Sequence, residues 1–74
     1  MKYKGINMNI GEKIKNLRKE RKISQKRLAE LSGISGSFLC DIEKGRTNPS
    51  IVTLQKIANN LNTEIKNFFE REED

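Results

Sequence analysis

The side chains best suited to chemistry in this chain are gathered between Ser35 and Asn48. Ser35, Gly36, Ser37, Cys40 and Asp41 are small or short and polar, and Lys44, Arg46, Thr47 and Asn48 follow them. On a helix, Gly36, Ser37, Cys40, Asp41 and Lys44 share one face, while Phe38, Leu39 and Ile42 form an apolar stripe on the other. The stripe is suited to a core. The opposite face is nearly bare, with a thiol, a carboxylate and a lysine behind two very small residues. Such a face favours close approach and hydrogen bonding. The front end of a helix also carries unpaired amides and the positive end of the dipole, which favours a phosphate.

Bond-making chemistry has little to stand on. The chain has 74 residues with no histidine, which removes the commonest general base near neutral pH. No nucleophile is paired with a base, so no catalytic residue is assigned and enzymatic activity is not expected. Its one cysteine, Cys40, cannot form an internal disulfide, and without histidine a protein-only zinc site is improbable. No cofactor, metal or small-molecule substrate is implied.

Charge narrows the partner. The net charge is +5, but residues 1–27 hold ten Lys/Arg against Glu12 and Glu20, whereas residues 28–74 hold five against eight acids. A basic half suits a polyanion through steering and counterion release. It is equally the surface of a small domain kept soluble by lysines. No run approaches the roughly 18–20 apolar residues of a bilayer span, so no membrane partner is expected. The start, MKYKGINMNIG, lacks an export signal, which makes a cytoplasmic location the default.

The elements that must position these residues are short helices. Residues 1–8 show no period and read as a loose arm. Asn9 with Glu12 forms a candidate capping pair for a helix burying Ile10, Ile14 and Leu17 and running to about Arg21. Ser24 is the next N-cap, before a helix with Leu28, Ala29 and Leu31 inward, ending near Ser32-Gly33. Gly33 suits a tight left-handed turn, Ile34 plugs the corner, Ser35 caps a third helix and Gly45 ends it. Arg46 to Pro49 is a loop, because Pro49 disfavours a helical Asn48. Ser50 caps a fourth helix with Ile51, Leu54, Ile57, Ala58 and Leu61 at helical spacing. Asn62 breaks it, and Thr63 caps a fifth helix bearing Ile65, Phe68 and Phe69. Residues 70–74 form a fraying acidic tail. No repeat or alternating strand pattern is present. The expected fold is all-α, a compact bundle of five short helices, one domain over residues 9–69. At this size it hides only about 60% of its unfolded surface, so stability should be thin.

A helix, a turn through Gly33 and a second helix with an exposed face form the helix-turn-helix plan, here about residues 24–43 with a recognition helix at about 35–44. Ile10-Gly11-Glu12-Lys13-Ile14, Leu17-Arg18, Ser24-Gln25, Leu28-Ala29, Gly33, Phe38-Leu39, Ile42-Glu43-Lys44-Gly45-Arg46, Asn48-Pro49-Ser50, Thr53-Leu54 and Ile57-Ala58 resemble the Cro/CI-type helix-turn-helix family. It is also called the xenobiotic-response-element family and includes phage repressors with lambda-repressor-like folds. The likeness covers residues 10–69.

The resemblance implies a double-stranded DNA partner and gives each residue a role. Gln25, at the start of the second helix, would bond a phosphate and the head of the recognition helix; outside this motif it would be an ordinary solvated residue. The base-reading positions fall on Ser35, Gly36, Ser37 and Asp41, with Cys40 nearby. Many relatives carry glutamine where this chain has Gly36, and glycine cannot make glutamine's bidentate contact to adenine. Ser37 discriminates poorly. Asp41 would accept from a cytosine amino group, or else repel the backbone. Cys40 reads as a small groove-facing residue in preference to a redox switch. Arg18 and Glu43 match a buried ion pair that orients the recognition helix, and Glu43 does border the apolar stripe. Arg18, Lys26, Lys44, Arg46, Thr47 and Asn48, with Gln25, are the phosphate-contacting set, which sets register and affinity in preference to sequence choice.

Relatives bind (pseudo)palindromes as dimers, with half-sites about 34–36 Å apart. A homodimer built mainly from the fifth helix is therefore expected, through Ile65, Phe68 and Phe69. Adjacent Phe68 and Phe69 cannot face the same spot, so one should close the core and the other lie exposed or in the interface. The leading expectation is a transcriptional regulator that represses by occupying an operator. A prophage repressor, a restriction-modification controller and an antitoxin are all compatible with it. The competing class is a protein-interaction adaptor on the same fold, which the bare Gly36-Ser37 front would suit and the basic first half would not.

Overall fold

Serine opens three of the helices in the way its chemistry dictates. In the computed structural model, which describes residues 10–69, Ser24 Oγ accepts from the Arg27 amide at 3.0 Å, Ser35 Oγ from Phe38 at 3.0 Å and Ser50 Oγ from Thr53 at 3.1 Å. Each cap satisfies a donor that the helix leaves open, for about 1 kcal/mol apiece. The helices are α1 (Ile10–Glu20), α2 (Gln25–Ser32), α3 (Gly36–Glu43) and α4 (Ile51–Asn60), followed by a 3₁₀ turn over Ile65–Phe68. Asn9, the proposed first cap, lies outside the described residues, as do the arm at 1–8 and the tail at 70–74.

All four α-helices among the described residues stop in the same manner. A left-handed residue follows each: Lys22 (φ 58°), Gly33 (φ 72°), Gly45 (φ 79°) and Asn62 (φ 60°). The next amide then donates back across the last turn: Ile23 to Arg18, Ile34 to Ala29, Arg46 to Asp41 and Thr63 to Ala58, at 2.9–3.1 Å. These are Schellman closures, and they satisfy carbonyls that the helix ends would otherwise strand. Glycine adopts the required conformation without a Cβ penalty at 33 and 45.

The core is made by Ile14 of α1, Leu28 and Ala29 of α2, Leu39 and Ile42 of α3, and Leu54, Ile57, Ala58 and Leu61 of and after α4, closed by Phe68. Ile10, Leu17, Ile23, Ile34, Phe38 and Ile65 pack around it. Helix α3 lies between α1 and α2, and α4 packs on α2. No helix among the described residues is long and apolar enough to cross a membrane.

Three expectations are corrected. The expected fifth helix is a single 3₁₀ turn. Thr63 does not cap it, because its hydroxyl accepts from the Asn67 side chain at 2.8 Å, and Glu64 at the actual N-cap makes no side-chain cap. An uncapped four-residue segment does not repay helix nucleation. Leu31 does not face inward but is 44% exposed. The buried face of α2 is centred on Leu28, Ala29 and Ser32, and Ser32 takes the place by accepting from Asn60 Nδ2 at 3.2 Å. Ile51, at the first turn of α4, is 63% exposed, since the core reaches only the later turns of that helix.

Candidate nucleic-acid interface

The site is assembled around Glu43, the last residue of α3. Its carboxylate is 3% exposed and its partner Arg18 11% exposed as side chains. Arg18 Nε donates to Glu43 Oε2 at 2.8 Å and Nη2 to Oε1 at 3.1 Å, a bidentate fork. Arg18 Nη1 donates to the Ile23 carbonyl at 3.0 Å. Gln25 Nε2 completes the cluster by donating to Glu43 Oε1 at 3.0 Å. One carboxylate thus ties α1, α2 and α3 together, and no buried side-chain polar atom is left unpartnered among the described residues. The pairing of Arg18 with Glu43 is as the sequence suggested. The contact of Gln25 is at the tail of α3, whereas the sequence reading put it at the head. From the first position of α2 the Gln25 amide reaches across to the end of α3, where the Glu43 carboxylate accepts it.

The outward face of α3 lies clear of the core. Ser35, Gly36, Ser37 and Lys44 are exposed, and Cys40 and Asp41 half-buried. A Cβ built on Gly36 would meet nothing within 4 Å. Gly36 also has an ordinary helical backbone, so neither space nor φ requires glycine here. In a helix glycine is the poorer choice by up to about 1 kcal/mol. Gly36→Ala is therefore expected to raise the thermal stability of the free domain, measured by circular dichroism.

Beyond α3 the loop folds back on the same face. The Arg46 amide donates to the Asp41 carbonyl at 2.9 Å, and Arg46 Nη1 lies 3.5 Å from Asp41 Oδ1. Both side chains are substantially exposed, so the ion pair is worth only about 0–1 kcal/mol. It does locate Arg46, a phosphate candidate, beside Asp41, a base-reading candidate. Sequence reasoning missed this contact. Its signal was Gly45, whose left-handed turn sends the following residue back over the last turn of α3. Thr47 is half-buried, while Asn48 and Lys26 are exposed.

At the other end of the chain, Phe68 and Phe69 separate as expected of neighbours on a tight helix. Phe68 is 2% exposed and Phe69 52%. Phe68 is thereby removed from the proposed dimer surface, because its ring is spent on closing the core. Ile65 is half-buried against that core, which leaves Phe69 as the exposed aromatic of the set.

The comparisons with known proteins agree with this architecture. The profile of the HTH_3 family, described as helix-turn-helix, matches residues 14–68. The immunity repressor protein of Bacillus phage phi105 is 47% identical over 58 residues, 78% of this chain and 40% of the repressor. The chain thus spans about two-fifths of that protein's length. Among solved structures, the restriction-modification controller protein C.AhdI from Aeromonas hydrophila superposes with a TM-score of 0.78 at 35% identity, covering 81% of this chain and 91% of that one. The biofilm-formation regulator SinR in complex with DNA superposes with a TM-score of 0.77 at 39% identity, covering 82% and 98%. With the profile spanning the core, the Arg18–Glu43 node and the whole of α3, the chain belongs to the HTH_3 helix-turn-helix family.

Proposed function

We propose that this chain is a sequence-specific double-stranded DNA-binding regulator of transcription, acting as a homodimeric repressor on a (pseudo)palindromic operator. The observation that carries the reading is the outward face of α3, small, polar and free of the core, held from behind by the Arg18–Glu43–Gln25 cluster. In this reading α3 enters the major groove and Ser35, Gly36, Ser37, Cys40 and Asp41 lie against base edges. Lys26, Lys44, Arg46, Thr47 and Asn48, with Gln25 and Arg18, hold the flanking phosphates. The dimer surface includes Ile65 and Phe69. The family membership and the DNA complex of SinR support it.

Binding of the protein to random duplex DNA across a salt series tests the proposal. Log affinity should fall linearly with log salt, with a slope near −0.9 per phosphate neutralised. Arg46→Ala should make that slope shallower by about one phosphate and weaken binding on all sequences alike. Gln25→Ala should weaken binding as well. A protein with no salt-dependent affinity for duplex would be a protein-binding adaptor instead. Gly36→Ala offers a second readout: reduced affinity in a domain made more stable identifies a residue retained for contact.

A further inference from the structure

Gly11 is buried in the first turn of α1. Its backbone is not left-handed, so on propensity alone alanine would suit the helix better by up to about 1 kcal/mol. What opposes alanine is α3. A Cβ on Gly11 would overlap the carbonyl oxygen of Ile42 and lie 2.9 Å from the carbonyl oxygen of Glu43. These are the last carbonyls of α3, and the Ile42 oxygen also accepts the Gly45 amide at 3.1 Å in the closure that launches the 44–48 loop. Arg18, seven residues further along α1, grips the Glu43 carboxylate. Seven residues are about two turns, so Gly11 and Arg18 stand on one side of α1 roughly 10 Å apart.

We infer that Gly11 is a positioning residue for α3, the bare half of a two-point seat whose other half is Arg18. Leu39 and Ile42 hold α3 in the core, and the two contacts with α1 set how its last turn sits there. The tilt of the outward face and the start of the following loop depend on that last turn. A methyl group at residue 11 meets backbone and no flexible side-chain end, so it must displace α3 or its terminal turn. The consequence for DNA rests on the function proposed above. Base contacts demand a fixed angle, whereas phosphate contacts tolerate a small tilt, so selectivity falls before general affinity.

The test compares Gly11→Ala with Ile57→Val, a core truncation in α4 of similar modest cost. Amide spectra of the free proteins are recorded first. Gly11→Ala should move the resonances of residues 42–47, and Ile57→Val should not. Binding is then measured on random duplex and on the duplex that the wild type selects from a random library. Gly11→Ala should lose about tenfold on the selected duplex, the cost of roughly one base contact, and far less on random duplex. Ile57→Val should keep both affinities. Unmoved resonances at 42–47, or unchanged selectivity, would overturn the inference. If Gly11→Ala does not fold in buffer, the amide comparison is made in trimethylamine N-oxide, which favours compact states. A chain still unfolded there would reduce Gly11 to a packing residue. If the wild type binds no duplex, the DNA reading fails by itself and the amide comparison still decides the seat.

Discussion

Glu43→Ala is expected to destabilise the domain by about 3–5 kcal/mol, because it leaves the Arg18 guanidinium buried without its counter-charge. A domain of this length has only about 4–11 kcal/mol in total, so the variant should be largely unfolded at modest urea concentrations that the wild type withstands. The loss exceeds that of a generic ion pair for a structural reason. Glu43 accepts from Arg18 twice and from Gln25 once, so its removal strands donors from two helices. Truncating both charges tells the two contributions apart. Arg18→Met with Glu43→Leu should recover much of the loss, since a well-packed apolar pair commonly matches a buried ion pair. If the node exists to orient α3, that double variant should nevertheless bind its operator less well than its stability would suggest. Urea unfolding followed by circular dichroism, with duplex binding on the same samples, measures both. A Glu43→Ala loss below about 1 kcal/mol would mean that the node is solvated and does little.

Phe68→Ala should cost about 3–5 kcal/mol and Phe69→Ala should leave the monomer within about 0.5 kcal/mol of wild type. The contrast comes from burial, 2% against 52% exposed. Phe68 is also the one fully buried side chain of the 3₁₀ turn, with Ile65 only half-buried beside it, so its loss should loosen that turn. Phe69→Ala is the informative partner. If the protein self-associates through this end, Phe69→Ala should raise the dimer dissociation constant in sedimentation while the monomer's unfolding is unchanged. Equal dissociation constants for Phe69→Ala and wild type would place the dimer surface elsewhere.

The two predictions draw on features of different legibility. The serine caps could be read because a cap and its target amide are three residues apart, and a spacing of that kind is visible in a linear chain. The apolar stripe of α3 and the bare opposite face were legible for the same reason. Leu31 and Ile51 show where periodicity runs out: it identifies a stripe of apolar residues but not which part of it meets the core. The turn at Ile65–Phe68 was misread because Thr63 looks like a cap, and only the fold reveals that Asn67 claims its hydroxyl. Contacts across long separations were harder still. The link from Gln25 to Glu43 spans 18 residues, and the approach of Gly11 to Ile42 involves no side chain at the first residue that a pattern could flag.

The emptiness around Gly36 separates two demands that most protein surfaces combine. Gly36, Ser37 and Lys44 are exposed and a Cβ added at Gly36 would meet nothing within 4 Å, while Leu39, Ile42 and Glu43 on the same short helix anchor the bundle. New letters can therefore be written at 36, 37 and 44 at little thermodynamic risk. If this face meets DNA as proposed above, a lineage carrying this scaffold can drift toward new targets one residue at a time, each intermediate remaining a folded protein.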